Sequence, residues 1–202
     1  MTTSKPATAR GRATRQALLD AAEGVFGETR FDAASITEIT RRANVSQGTF
    51  YVYFDSKKAI FLELLRHLGT LARATLREAV EGVDARLERE EIGLRAFLKF
   101  VGEHRNLYRI VRQAEFIDED AYREYYRRFA QGYVIGLSRA VKDGEVADVN
   151  VEALAYALMG ISDFVGMRWV LWADHDDADV PEEVVEAVLR LLRRGLPPGA
   201  SR

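Results

Sequence analysis

Apolar residues along this 202-residue chain recur at helical spacing. Leu18, Ala22, Val25 and Phe26 stand at i, i+4, i+7 and i+8, and Ile36, Ile39 and Ala43 at i, i+3 and i+7. Each set lines one face of a helix. No comparable stretch alternates apolar and polar residues, and no internal repeat is visible. Proline occurs only at positions 6, 181, 197 and 198, which leaves the middle of the chain without the strongest helix breaker. The pattern predicts an all-α protein. Its helices are expected over residues 14–28, 35–43, 46–53, 56–81, 87–102, 105–113, 120–141, 151–172 and 181–194.

The joints between the first helices carry the most information. Ser35 opens the run Ser-Ile-Thr-Glu, a capping box in which the hydroxyl and Glu38 can each satisfy an amide at a helix start. Asn44 tolerates the left-handed backbone of a tight turn, and Ser46 can cap the helix that follows. Two short helices joined this tightly have the dimensions of a helix-turn-helix. In the second helix Phe50 and Phe54, four apart, face inward. Gln47, Gly48 and Tyr51 then share an outward face, with Thr49 and Tyr53 beside it. Glutamine can bond adenine edges, threonine can meet a thymine methyl, and glycine lets the backbone approach. Tyrosine hydroxyls and Lys57 can hold phosphates.

Composition narrows the class further. At 48% hydrophobic, the chain can bury a sizeable core. It has no cysteine, which excludes disulfides, thiol nucleophiles and thiolate metal sites. His67, His104 and His175 follow no metal-ligand spacing, so neither a metal nor a cofactor is expected. The net charge of -2 hides a gradient: residues 1–58 hold 9 Lys and Arg against 6 Asp and Glu, and the remainder 20 against 25. Only the first part suits a polyanion. Residues 1–13 are basic and lack the apolar core of a secretory signal. They are expected to form a flexible arm whose Lys5, Arg10 and Arg12, with Arg15 behind them, can reach a phosphate backbone. A cytoplasmic location follows.

The ordered series Ala21-Ala22 and Phe26, Ser35-Ile36, Ala43 and Val45, Gly48-Thr49-Phe50-Tyr51 and Tyr53-Phe54 with Ser56-Lys57 resembles the N-terminal DNA-binding domain of the tetracycline-repressor (TetR/AcrR) family of bacterial regulators. The resemblance spans residues 14–65. It implies a DNA-binding domain over residues 14–58, with the recognition helix in the major groove. The DNA-binding residues it implies are Ser35, Thr37, Ser46, Gln47, Gly48, Thr49, Tyr51, Tyr53 and Lys57. Arg30 and Asn44 stand where the family often has glycine. The resemblance also implies a homodimer built from the last two long helices. Two recognition helices roughly 34 Å apart would then read a near-palindromic double-stranded operator.

Residues 59–202 are expected to bind a small effector and to dimerise. The helix over 151–172 is apolar nearly all round and long enough to span a membrane. Asp163 and Arg168 within it oppose insertion, so a helix buried in protein is expected. Aromatic and polar side chains mixed along the bundle suggest an effector pocket. Its candidate residues are Phe97, Tyr108, Arg112, Phe116, Tyr126, Phe129, Asp163 and Met167. A weaker resemblance of residues 107–137 to regulators sensing acyl thioesters or related hydrophobic acids points to that effector class. Gly132 and Gly136 read as a close helix contact, and Asp174, Asp176, Asp177 and Asp179 as a solvated loop with Asp179 and Glu182 capping the last helix.

A ligand-responsive transcriptional repressor is the function these features predict. Two other classes compete with it. An architectural DNA-binding protein would spread positive charge more widely than this chain does. A small helical enzyme would need a nucleophile or an acid-base pair, and the sequence offers only scattered histidines and generic carboxylates.

Overall fold

The computed structural model describes residues 8–173 and 180–195, and every regular element among them is helical. In order these are α1 (Ala9–Glu28), α2 (Ile36–Arg42), α3 (Gln47–Tyr53), α4 (Lys57–Ala79), α5 (Arg86–Glu103), α6 (Asn106–Ile117), α7 (Glu119–Lys142), α8 (Val151–Gly166) and α9 (Glu182–Gly195). A π turn, Met167–Leu171, extends α8. Lys5, the aspartate cluster at 174–179 and His175 lie outside the described residues.

The helix ends explain themselves locally. Thr8 caps α1, its Oγ1 accepting from the Gly11 N–H at 3.1 Å. The helix therefore starts at Ala9 and absorbs Arg10 and Arg12, which the sequence placed in a flexible arm. At the other end the backbone N–H and the hydroxyl of Thr29 both donate to the Val25 carbonyl. This termination needs no glycine at Arg30. Ser35 and Ser46 cap α2 and α3, accepting from the N–H groups of Glu38 and Thr49 at 3.2 and 3.1 Å. Between them Asn44 turns the chain with φ of 53°, a conformation that asparagine tolerates and branched residues do not.

The chain forms two compact units. One runs through Gly69 and includes Asn106–Arg123; the other holds Thr70–Arg105 and the chain from Glu124 onward. The division thus falls within α4 and α7 rather than at the composition shift near Lys58, and α6 belongs with the helix-turn-helix. In the first unit Leu18, Ala22, Val25 and Phe26 of α1 are buried with Ile39, Phe50, Phe54 and the α4 residues Ile60, Phe61, Leu64 and Leu65. Phe26, Phe31 and Phe61 form an aromatic cluster with ring centroids 5.1–5.8 Å apart, a spacing at which offset and edge contacts are favourable.

Helix α6 joins this unit for a specific reason. Its apolar face (Leu107, Ile110, Val111, Ala114) is buried, and its polar residues satisfy carbonyls at the end of α1. Arg109 Nη1 donates to the Gly27 carbonyl at 2.8 Å. Gln113 Nε2 donates to the Phe26 carbonyl at 3.0 Å, while its Oε1 accepts from the Phe31 N–H at 2.6 Å. Gly27 allows the approach, because a Cβ there would overlap the Asn106 side chain.

In the second unit Leu94 and Leu98 of α5, Leu137 and Ala140 of α7, Ala155 and Leu158 of α8 and Val185, Leu189 and Leu192 of α9 share one core. Arg95 fixes the start of α9 through a two-pronged contact with Glu182, both N–O distances being 2.6 Å. The apolar stretch Val151–Leu171 satisfies length and composition for a membrane span, yet only 28% of its most apolar window is covered by this chain. Tyr156, Phe164 and Trp172 are exposed along it, as is Leu191 on α9. The burial expected of this helix is thus incomplete within one chain.

The α1–α6 contact yields a first expectation. Gly27→Ala should lower unfolding free energy by about 1–3 kcal/mol, the usual cost of overpacking, as measured by denaturant titration. Adding Asn106→Ala should recover part of that loss. An unchanged Gly27→Ala midpoint would show that α6 is not held in this register.

Candidate nucleic-acid interface and ligand cavity

The second helix of the helix-turn-helix, α3, divides its seven residues cleanly. Phe50 is fully buried and stacks near Phe54, which is 3% exposed, with ring centroids 5.7 Å apart. These two rings root the helix. Gln47, Gly48, Tyr51 and Val52 face solvent, a stripe at i, i+1, i+4 and i+5. Thr49 and Tyr53 lie half-buried beside it. Gln47 Nε2 donates to Thr37 Oγ1 of α2 at 2.7 Å, so the amide is held on the outer surface and can exchange that bond for a base edge. Ser46 Oγ lies 2.9 Å from Thr49 Oγ1 and also caps the helix. Sequence reasoning passed over Val52, which is 71% exposed. An apolar side chain standing in solvent next to Gly48 could have marked it as a partner for a thymine methyl.

Charge around this surface is organised by Glu38. Its carboxylate accepts from Arg41 and Arg42 at 2.7–2.8 Å, and Arg42 reaches on to Glu28 at 2.6–2.7 Å. Hydrogen bonds from Arg41 and then Arg42 pull the Glu38 carboxyl down to about 2. The carboxylate expected to close the capping box thus serves the arginines instead, and the Ser35 hydroxyl carries the cap.

Lys57 stands differently from the phosphate contact expected of it. Its ammonium donates to the carbonyls of Phe31, Ala34 and Asp32 at 2.6, 2.8 and 3.3 Å and sits 4.5 Å from the centre of the Phe31 ring. An ammonium has three donors, and all three are directed at the turn after α1. Lys57 therefore ties the start of α4 to that turn. Lys58 pairs with Asp118 at 3.1 Å.

The effector candidates separate into groups. Phe97, Tyr126, Phe129 and Asp163 meet around one cavity of about 50 Å³ in the second unit. Helix α7 adds Tyr125 and Tyr133 to its wall, α8 adds Met159 and Ser162, and α4 adds Leu76. Tyr125, Phe129 and Tyr133 stand at i, i+4 and i+8, a periodicity that could have selected them from the sequence. Burial, and secondarily the Asp163 carboxylate, pushes the Tyr125 phenol up, so it stays a neutral donor. Burial also raises Tyr133, against the pull of Arg86. The other candidates lie elsewhere. Tyr108 is buried in the core of the first unit, and Arg112 and Phe116 flank a surface groove there, Phe116 being 89% exposed. The cause is the packing of α6 on α1. Met167 is buried at the π turn and does not line the cavity.

A second space in the same unit has a different character. About 390 Å³ in volume, it is bordered by Arg73 and Arg77 of α4, Arg86 and Arg89 of α5, and Arg128 of α7. Gly132 and Gly136 both border it: a Cβ at Gly132 would meet nothing within 4 Å, and one at Gly136 would overlap only the Arg86 guanidinium reaching across from α5. The glycine pair read from the sequence as a close helix contact is therefore a wall of this space.

An all-helical chain that roots a helix-turn-helix in its core and exposes Gln47, Gly48, Tyr51 and Val52 has the build of a DNA-binding regulator. Residues 18–64 match the family described as bacterial regulatory proteins, tetR family. That stretch, which runs from within α1 into α4, is thus of the tetR type. It is 26% identical over 187 residues to the HTH-type transcriptional regulator YdgC of Bacillus subtilis, covering 89% of this chain and 93% of that protein. It is 31% identical over 106 residues to the transcriptional activator FasR of Mycolicibacterium smegmatis, covering 52% of this chain and 48% of that one. The solved structure of the regulator FadR from Bacillus subtilis in complex with stearoyl-CoA shares the fold with a TM-score of 0.77 and 20% identity, covering 90% of this chain and 98% of that chain.

The lysine geometry sets the next expectation. Lys57→Met should keep the packing over Phe31 but lose its charge-assisted hydrogen bonds, each worth roughly 1.5–3 kcal/mol, and thermal unfolding should fall accordingly. Because the ammonium is already occupied, the salt dependence of DNA binding should keep its slope. A slope shallower by about one would restore the phosphate role.

Proposed function

We propose that the protein is a dimeric transcriptional repressor that binds a near-palindromic operator and is released by a small hydrophobic effector. The carrying observation is α3: its aromatic residues are buried to fix the helix, and the side chains left outside are those able to contact base edges. On this reading Gln47 and Val52 read bases, Gly48 allows close approach, and Thr49, Tyr51 and Tyr53 with Thr37 position the helix on the backbone. Ser35 and Ser46 act through the caps that set the two helices.

The uncovered face of α8 and α9 supports the dimer. Tyr156, Phe164, Trp172 and Leu191 are large apolar side chains in solvent on the two helices expected to pair, and a second copy would cover them. Phe164→Glu should shift the protein to monomer at concentrations where the parent is dimeric, as read by sedimentation. It should also weaken operator binding without touching α3.

The cavity around Tyr126, Phe129 and Asp163 supports an effector that is largely apolar, a hydrophobic acid or an acyl thioester. The stearoyl-CoA bound by the similarly folded FadR agrees with that class. At about 50 Å³ the cavity is well below the roughly 300–1,000 Å³ typical of ligand sites, so binding requires the aromatic wall to move. Helices α4 and α7 run on from one unit into the other, and on this reading they carry such a movement to the recognition helix.

Selection of bound fragments from bacterial genomic DNA tests the main reading. Enrichment of a near-palindromic site is the expected result. Gln47→Ala and Val52→Ala should then each relax preference at one position by about 1–3 kcal/mol, whereas Tyr51→Phe should weaken all sequences alike. Retention of DNA without sequence preference would replace this reading with an architectural one.

A further inference from the structure

The arginine-bordered space has no role in the function as stated so far. Five guanidinium groups from α4, α5 and α7 border it, and Glu90 is the one carboxylate among its bordering residues. Several of these arginines have partners. Arg86 pairs with Glu90, Arg128 with Glu124, Arg89 donates to the Val83 carbonyl, and Arg73 donates to the Thr70 hydroxyl. Two signs of unmet demand remain. The buried Nε of Arg86 has no hydrogen-bond partner in a side chain only 11% exposed, and a buried donor left unpaired is costly. Arg77 has no ion-pair or hydrogen-bond partner among the described residues.

The electrostatics agree. Burial, and after it the nearby Arg128, lowers Arg73; burial lowers Arg86, with Arg89 among the groups that add to it. Desolvated cations crowded together are stabilised by an anion. Gly93, Gly132 and Gly136 keep side-chain bulk out of the volume such an anion would fill. A lone carboxylate could engage one guanidinium fork, but guanidiniums spread over three helices match an anion with several oxygens, as phosphate recognition by arginine requires.

The space also adjoins the aromatic cavity. Leu76, Phe129 and Tyr133 border both. Arg73 lies 5.3 Å from the centre of the Phe129 ring and Arg86 5.9 Å from that of Tyr133. A charged group among the arginines and an apolar group among the aromatics would therefore be neighbours.

We propose that this arginine-lined space is a binding subsite for a phosphate or pyrophosphate group, carried by an effector whose apolar portion enters the adjoining aromatic cavity. The inference rests on the effector reading above for its apolar half, and it narrows the class from any hydrophobic acid to a phosphorylated amphiphile.

Titration calorimetry on the full-length protein tests the two halves separately, with coenzyme A and inorganic pyrophosphate as probes for the charged group and stearoyl-CoA and stearate for the tail. Coenzyme A should bind without any acyl chain and weaken with added salt. Arg77→Gln should reduce its affinity about tenfold, the scale of one charge-assisted contact. Gly132→Leu, whose added atoms enter open space, should block it while leaving the thermal midpoint near that of the parent. Stearoyl-CoA should bind more tightly than either coenzyme A or stearate. No binding of coenzyme A, or binding unaffected by both substitutions, overturns the subsite. Release of DNA by stearate as effective as by stearoyl-CoA also overturns it, yet leaves the hydrophobic effector in place. Binding of coenzyme A that responds to both substitutions, with no release of DNA by stearoyl-CoA, supports the subsite and overturns the effector reading instead.

Discussion

The first unit depends on how the carbonyls at the end of α1, and in the turn that follows, are satisfied. A helix end leaves acceptors that must find donors once they are covered. Here the donors come from far along the chain: Arg109 and Gln113 of α6 serve Gly27 and Phe26, and Lys57 of α4 serves Phe31, Asp32 and Ala34. Aromatic packing of Phe26, Phe31 and Phe61 encloses the same corner. Hydrogen bonding and burial thus meet where α1, α4 and α6 converge, and α2 and α3 are held against that frame by Ile39, Phe50 and Phe54.

A helix inserted between α5 and α7 in the sequence supplies the donors that complete α1. Disturbing that helix therefore touches the support of the recognition helix, not merely a remote surface. The second unit combines a well-filled core under α9 with spaces bordered by tyrosine and arginine, and Phe97 and Tyr133 belong to both the edge of that core and the wall of the cavity.

The helix-turn-helix was legible in the sequence because its signals are local. Ser35 and Ser46 sit three residues from the amides they cap, Asn44 announces its own backbone angle, and Phe50 and Phe54 declare one face by their spacing. Lys57 was read as a phosphate ligand because its partners lie 23–26 residues away, beyond any spacing rule. Tyr108, Arg112 and Phe116 were assigned to the effector for a related reason: aromatic and arginine residues on an amphipathic helix look alike whether they face a cavity or cap another helix. Gly132 and Gly136 show the same ambiguity, since absence of a side chain permits close packing and open volume equally. Phe97, Tyr126, Phe129 and Asp163 were brought together because mixed polarity on adjoining helices narrows the choices.

The π turn after α8 has a different kind of consequence. The Trp172 N–H reaches back to the Met167 carbonyl, so the chain holds one residue more in that turn than an α-helix would. The residues of that wider turn therefore leave the steps of roughly 100° that consecutive residues of α8 follow. Met159, Ser162 and Asp163 of α8 border the cavity, while within the π turn Val170 is buried and its carbonyl takes Arg105 Nη2 at 3.2 Å. The phase of the two segments is set separately, which gives a single rod of backbone two independent compass bearings.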